Sequence, residues 1–435
     1  MKILVIGGGG REHALAWKIR QSRSVEELFC SPGNAGIAEI ADCPPLASSD
    51  PEAVADFVAR QGIDLTVVGP ELPLAEGIAD RILSRGRAVF GPTAGAARLE
   101  SSKAFAKEFM TRHKIPTAPY EVFSNADAAT AYIERCEIPI VIKADGLAGG
   151  KGVIVATTRD EAREAVHKLM IQRAFGGAGR TVVIERFLHG REASFFAISD
   201  GRNVIPLVTC QDYKRVHDGD RGPNTGGMGA YSPALHLDRA MTSLVLEKIV
   251  CPTIQGIAAE GFPYRGCLYV GLMLTESGPY VIEYNVRFGD PETQVLMPRM
   301  ASDLVPMLMA AAHGDISNIR VEWRREAAVT VVLTAGGYPG TYPKGKKING
   351  LELFAGSNEL MFFHAGTRTG PGGEIRTAGG RVLAITALGR DIQDARRRVY
   401  DAAAKIHFPG VHYRRDIGSD AVLASTTTTP AGARR

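Results

Sequence analysis

"KADGLAGGKGV", residues 143–153, sets four glycines and two lysines between the apolar runs "IPIVI" (138–142) and "VIVAT" (153–157). A glycine-rich segment with lysines is a candidate phosphate cradle, and three kinds are possible. A Walker loop requires G-x-x-x-x-G-K-[ST] between a strand and a helix. Here Lys151 is followed by Gly152, Asp145 stands where the first glycine belongs, and a second strand follows. A dinucleotide turn requires G-x-G-x-x-G after the first strand. "GGGGRE" (7–12) has Glu12 in the third glycine position, where an acid repels a pyrophosphate. The bare turn Gly7–Gly10 still offers N–H groups at a helix start, a general anion site. The third kind is a hairpin loop between two strands that folds over a triphosphate. Its glycines let backbone N–H groups approach phosphate oxygens, with Lys143 on the incoming strand meeting an α- or β-phosphate. On the loop alone, a plain surface hairpin with two solvated lysines fits as well.

The residues around the loop give it context. Over 1–95, strands ("KILVIG", "IDLTVVGPE", "RAVFG") alternate with helical patterns (Ala14, Leu15, Ile19; Val54, Phe57, Val58), which predicts an open parallel sheet with helices on both faces. "ARLESSKAFAKEFMTRHKIPTA" (97–118) reads as one helix ending before Pro116. Residues 117–188 form a small α/β unit around the glycine loop. Two hairpins follow, turning at Asp200-Gly201 and Ser277-Gly278, with helices near 240–260 and 293–313 covering the sheet. From 326, "AVTVVLTAGG", "RVLAITALG" and a helix near 391–405 suggest a further domain, and "STTTTPAGARR" is low-complexity.

Composition excludes several classes. At 435 residues the chain holds several domains. A net charge of +4, from 51 basic and 47 acidic residues, is no nucleic-acid footprint. Six dispersed cysteines without a C-x-x-C pair read as reduced thiols of a cytoplasmic protein, and no apolar run approaches the ~20 residues of a membrane span.

"IEYNVRFGDPE" (282–292) strengthens the phosphate reading. Glu283 and Asn285, two apart on a strand, share one face, and a carboxylate beside an amide oxygen suits Mg²⁺ held jointly with substrate phosphates. Arg287 extends the row with a group able to clamp a carboxylate or phosphate.

With "GGGGREHALAW", "GNAGIA", "VVGPELPLAEGIAD", "SKAFAKEFM", "QDYKRVHDGDRGPNTGGMGAYSP", "NVRFGDPETQ", "GYPGTYPKG" and "HAGT" added, the chain resembles the phosphoribosylamine–glycine ligases (glycinamide ribonucleotide synthetases) of the ATP-grasp superfamily over nearly all of 1–420. The resemblance implies an α/β and α+β multidomain protein: a Rossmann-like N-terminal domain (1–101), an ATP-grasp domain (102–325, lid about 117–188), a small C-terminal domain (326–421) and a disordered tail (422–435). It implies an ATP-dependent enzyme of purine biosynthesis that joins glycine to 5-phosphoribosylamine through a glycyl phosphate. Mg²⁺ or Mn²⁺ would be the metal, and a monofunctional cytoplasmic monomer without nucleic-acid or membrane partners is expected.

Carried over by motif, Lys103, Lys143, Gly149, Gly150 and Lys151 are the phosphate contacts. Glu185 with the backbone of Arg186 and Leu188 is the adenine hinge, Glu192 the ribose acceptor, and Arg215 and Asn224 further nucleotide contacts. Glu283 and Asn285 are the metal ligands, and Arg287 and Lys143 the catalytic pair. Gly9, Gly10, Asn34, Glu71, Asp212, Arg287 and Asp290 are candidate substrate contacts. His13, beside the glycine turn, and Asp290 and Glu292, before a helix, also have plain readings as a packed histidine and as caps. Two rival functions stand: another ATP-grasp carboxylate–amine ligase, which substrate dependence would reveal, and a non-catalytic ATP-sensing module, which should lack the metal pair. One departure from the family is visible, Ser101 where glycine is common. "LYVGLMLTE" offers only Glu276 where many ATP-grasp enzymes supply a further metal carboxylate; the resembled family shares this pattern, which favours it over a generic ATP-grasp ligase and leaves the number of ions open.

Overall fold

The computed structural model describes residues 1–427 apart from 48, 150, 151, 236, 355 and 358. "KILVIG" forms the strand Lys2–Gly7, buried from Ile3 onward. It lies in a parallel sheet between Glu27–Pro32 and Leu65–Val68, with Ala88–Phe90 outermost. Ile3 and Val5 pack with Ala14, Leu15 and Ile19 of the helix Gly10–Arg20, while Leu4 and Ile6 pack with Val54 and Val58 of Pro51–Gln61. The sheet therefore carries helices on both faces, as its apolar runs predict. Local signals set the second helix: Asp50 accepts from the Ala53 N–H at 3.0 Å, Pro51 occupies the first turn, and Gly62 ends it at φ +67°.

The single helix expected over 97–118 is two, Ala94–Ser101 and Lys103–Arg112. Ser102 between them is extended (φ −137°, ψ 113°), and its Oγ accepts from the Phe105 N–H at 3.1 Å and donates to Asp145 Oδ1 at 3.0 Å. Asp145, at the root of the glycine loop, also accepts from the Ala104 N–H at 3.1 Å. A tertiary contact thus breaks the helix and sets Lys103 in the first turn of the second one, facing the loop.

The unit around that loop is an antiparallel sheet in the order Tyr120–Phe123, Val182–Arg186, Ile140–Ala144, Val153–Ala156. The next sheet, also antiparallel, runs Val204–Pro206, Arg191–Asp200, Arg265–Thr275, Gly278–Asn285. Helices cover both its faces: Ile254 and Ile257 of Cys251–Ala259 pack with Val270 and Leu272, and Leu304 and Leu308 of Leu304–His313 pack with Phe196 and Ile198.

The last large sheet crosses the boundary expected at 325. Its order is Gln211–Asp212, Gly229–Ser232, Ala327–Thr334, Arg381–Gly389, Leu360–His364, all antiparallel, so its first two strands come from the middle of the chain. Of the tail expected to be disordered over 422–435, residues 428–435 lie outside the described residues, and 422–427 belong to the helix Ser419–Thr427. Asp420 in its first turn accepts from the hydroxyls of Tyr213 and Tyr231, which anchors the helix on that sheet. Among the described residues no helix is long and apolar enough to cross a membrane.

Candidate functional site

A register slip prepares the centre of the site. Gly271 faces Glu283 and Leu272 faces Val281, so Ile282 is left outside the ladder. Its free carbonyl accepts from Lys143 Nζ at 2.7 Å, joining the glycine-loop sheet to the strand that bears Glu283 and Asn285. Beyond the slip those two residues share a face. Gly271 is required opposite Glu283, because a Cβ there would lie 2.8 Å from Glu283 Cγ. Gly271→Ala is expected to displace that carboxylate and lower kcat roughly 10–100-fold, as small misplacements of reacting groups do. Steady-state kinetics with a circular-dichroism melt check this, the melt showing whether the fold survives.

Four lysines converge on this region. Lys103 Nζ donates to the Gly146 carbonyl at 2.9 Å; burial lowers its pKa, against the pull of Glu283. Lys143 and Lys107 lie 2.7 and 2.8 Å from the two oxygens of buried Glu185, and burial pushes Lys107 down to about 8. Lys214 stands 3.2 Å from Glu283 and 3.4 Å from Glu192. Burial alone would raise Glu283, yet Lys214, Lys143 and Lys103 hold it down to about 2. Gly149 sits at φ +57° with open space where a side chain would project, while Gly150 and Lys151 lie outside the described residues.

Of the expected hinge, Glu185 is taken up by the two lysines and the Arg186 N–H donates to the Pro119 carbonyl at 2.9 Å. Leu188 is half-buried just beyond the strand end. Arg215 and Asn224 pair on a separate two-stranded ribbon, where Arg215 Nη1 donates to the Gly222 carbonyl at 2.7 Å.

Arg287 is the hub of the adjoining cluster. Its Nε donates to Glu71 Oε2 at 3.0 Å, its Nη2 to Asn285 Oδ1 at 3.0 Å and its Nη1 to the Phe288 carbonyl at 3.2 Å, and Nη2 lies 3.2 Å from Glu100 Oε1. Glu100 also accepts from the Val286 N–H at 2.7 Å. The two acids differ sharply. Burial, reinforced by Glu71, raises Glu100 to about 7, whereas Arg287 and Arg11 overcome burial and hold Glu71 down to about 2.

At the glycine turn, Glu12 folds inward and accepts from the Gly9 N–H at 2.6 Å and from Arg11 Nε at 2.5 Å. One N–H expected to be free for an anion is therefore occupied by the chain's own carboxylate. Gly10 abuts Gln294, which donates to Asp290 Oδ1 at 2.7 Å, and Arg381 Nη2 donates to Asp290 Oδ2 at 2.8 Å. Asn34 is fully engaged: Nδ2 donates to the Gly8 and His364 carbonyls at 2.9 and 2.7 Å, and Oδ1 accepts from the Gly36 and Ile37 N–H groups, each at 3.0 Å. These four bonds shape the turn. Asn34→Ala is expected to cost about 2–4 kcal/mol, at roughly 1 kcal/mol per hydrogen bond, read from chemical denaturation. His13 is packed beside that turn: burial pushes its pKa down to about 3, and its Nδ1 accepts from the His364 N–H at 2.8 Å.

The structure thus gathers Lys103, Lys143, Glu192, Glu283, Asn285, Arg287 and Glu71 along one continuous set of contacts, with Asp290, Gly9 and Gly10 beyond. Sequence reasoning missed Lys214, Lys107, Glu100 and Arg381. Only Lys214 left a signal, lying two residues from Asp212 in "QDYKR". Among the described residues no three His, Cys, Asp or Glu side chains converge as a ready-made metal site. The pair Glu283 and Asn285, an ionised carboxylate and an amide oxygen on one strand face, fits a hard cation that takes its remaining ligands from phosphates.

Comparison with known proteins places this geometry. Three family models cover the chain: phosphoribosylglycinamide synthetase N domain over residues 1–100, ATP-grasp (A) domain over 101–293 and C domain over 328–420. Phosphoribosylamine–glycine ligase of Escherichia coli (strain K12) is 51% identical over 425 residues, 97% of this chain and 99% of that protein. The Pseudomonas aeruginosa protein of that name is also 51% identical, over 97% of this chain and 98% of its own length. A crystal structure of phosphoribosylamine–glycine ligase from Thermotoga maritima superposes with a TM-score of 0.84 at 38% identity, over 96% of this chain and 100% of that one. Biotin carboxylase from Campylobacter jejuni, at 17% identity and a TM-score of 0.73 over 94% and 92%, shares the fold alone.

Proposed function

We infer the roles below from the premise that the chain belongs to the phosphoribosylglycinamide synthetase family, whose ATP-grasp fold it has. It is an ATP-dependent ligase of purine biosynthesis that makes glycinamide ribonucleotide from glycine and 5-phosphoribosylamine. The family uses ATP and a divalent metal; we assign Mg²⁺, with Mn²⁺ as the substitute. A monomer acting in the cytoplasm without a nucleic-acid partner is our reading of the near-neutral composition and the small substrates.

The observation that carries the assignment of roles is the Glu283–Asn285–Arg287 row facing Lys103, Lys143 and Lys214 beneath the glycine loop. Two anions, the glycine carboxylate and the γ-phosphate, must meet, so cationic groups have to offset their repulsion. Lys103 and Lys143 sit where they would neutralise the triphosphate, with the loop at Gly149 closing over it. Glu192 would take the ribose hydroxyls, and the strand end at Arg186–Leu188 would line the adenine. Glu283 and Asn285 would hold the metal, which when bound polarises phosphate oxygens. Arg287 would clamp the carboxylate of glycine, exchanging Glu71 for it. In this scheme the carboxylate attacks the γ-phosphate to give glycyl phosphate and ADP, and the amine then displaces phosphate. Gly9, Gly10 and Asp290 are the proposed seat of the phosphoribosyl group.

The test is ADP release with ATP, Mg²⁺, glycine and freshly generated phosphoribosylamine, omitting each in turn. Turnover should require all of them. ADP formed equally without glycine or without the amine would remove the named substrates.

A further inference from the structure

Two carboxyl groups without a part in the scheme above meet at the wall of the cleft. Asp212 ends the edge strand Gln211–Asp212, and Glu292 stands at the start of the helix Thr293–Arg299. Glu292 was readable as a helix cap, but its side chain makes no capping bond. Instead it is buried, 4% exposed, turned toward Ser194, in a space that a side chain at Gly289 would fill. Ser194 Oγ lies 3.3 Å from Glu292 Oε1, 3.5 Å from Asp212 Oδ1 and 3.2 Å from the Tyr269 hydroxyl. Asp212 is half-buried, and among the described residues no donor engages its Oδ2.

The charged groups facing Asp212 are Lys214 on the neighbouring stretch of chain, Glu192 on the strand of Ser194 and Glu283 on the metal-bearing strand. Those facing Glu292 are Asp212, Arg287, Lys214 and Arg381, with the titratable side chains of Tyr269, Cys210 and Cys267 also beside it. Two carboxyls that share one serine hydroxyl, one of them buried, do not both ionise freely, and they titrate as one coupled unit. Burial and neighbouring acids raise both carboxyls above the usual carboxylate range. Three other acids of the cleft are poor proton acceptors: lysines hold Glu283 down, Arg381 holds Asp290 down, and Glu100 is sealed behind Arg287.

We propose that Asp212 is the catalytic base of the amide-forming step, with Glu292 the positioning residue joined to it through Ser194. This rests on the ligase reading above. The nitrogen lone pair of phosphoribosylamine forms the C–N bond to the glycyl carbonyl carbon. The C–O bond to phosphate then breaks, and phosphate leaves with that electron pair. The nitrogen gives one of its two protons to Asp212 Oδ2, and that proton passes to the departing phosphate. The products are a neutral amide and hydrogenphosphate, so atoms and charge balance.

The experiment compares wild type, Asp212→Asn and Glu292→Gln. It reads kcat and each KM from pH 5.5 to 9.5, and glycyl phosphate formation by positional isotope exchange in ¹⁸O-labelled ATP within the full reaction mixture. Asp212→Asn should lose about 10²–10⁴-fold in kcat, the usual worth of a general base, while isotope exchange and the amine KM stay within threefold. Glu292→Gln should lose about tenfold in kcat and collapse the two proton steps of the pH profile into one. The proposal falls if Asp212→Asn raises the amine KM at unchanged kcat, or if it abolishes isotope exchange as well. It also falls if Glu292→Gln keeps both proton steps. Should Glu292→Gln not fold, the Asp212→Asn result decides alone. A wild type that turns over without the amine would overturn the ligase reading instead, and is told apart by the omission controls.

Discussion

Replacing Glu283 by glutamine is expected to lower kcat by about 10²–10³-fold, the scale of losing one group that stabilises developing charge. The change is nearly isosteric, so packing against Gly271 is kept while the negative charge disappears. Three lysines then face a neutral amide. Lys214 loses the stronger of its two carboxylates and keeps only Glu192, 3.4 Å away. Two readouts separate this from general damage. Half-maximal activation should need at least tenfold more Mg²⁺, whereas the thermal midpoint should stay within a few degrees of wild type. Because Glu283 is held down to about 2, its charge is complete throughout the range where the enzyme is assayed. Acid inactivation above pH 4 must therefore come from other groups. A Glu283→Gln enzyme with normal kcat and normal metal dependence would remove Glu283 from the site.

Arg287→Met should abolish turnover and also destabilise the fold. The guanidinium lies between Glu71 and Glu100, and removing one partner of a buried ion pair costs about 3–5 kcal/mol. The pH dependence has a definite sign. Glu100 titrates above its unfolded value, so its contribution to stability is full below about 4.5 and is lost as pH rises through the folded pKa near 7. Without Arg287 that folded pKa climbs further. Glu71 works in the same direction: its depressed pKa gives wild type a stability above about 4.5 that the variant lacks. The deficit should thus be smallest near pH 5 and widen toward pH 8 in urea titrations. The double variant Arg287→Met, Glu100→Gln should recover much of the stability and none of the activity. Equal deficits at pH 5 and pH 8 would contradict the assignment of Glu100 as the stranded charge.

Much of the architecture was legible because local signals agree with the tertiary result. The buried first strand, the Asp50–Pro51 helix start and the hairpin flanking the glycine loop are all set by neighbours in sequence. The Glu283, Asn285 and Arg287 row follows from the period of two along a strand, and it survives because the register slip falls before Glu283. What escaped depends on distant chain. Nothing near "ARLESSKAF" announces that Asp145 will break that helix at Ser102. Nothing local to Glu100 and Lys107 announces that Arg287 and Glu185 will meet them. The strand Tyr120–Phe123 is short and weakly apolar, and pairing with Val182–Arg186 creates it. Asn34, a candidate substrate contact beside the glycine turn, also bonds to distant chain at the His364 carbonyl, which its sequence neighbours do not announce.

The sheet that joins residues 211–232 to the strands after 327 bears on how the enzyme comes into being on the ribosome. Asp212 lies on an edge whose supporting strands, Ala327–Thr334 and Arg381–Gly389, are translated long after it. At ordinary synthesis rates of ~5–20 residues per second, Asp212 waits roughly ten to thirty seconds for its last support to emerge. The parallel sheet at the N-terminus needs no such delay, because all four of its strands lie before residue 91. A nascent chain stalled near residue 320 should therefore show a protease-resistant amino-terminal core with no ligase activity, and activity should appear only once the C-terminal strands have cleared the exit tunnel.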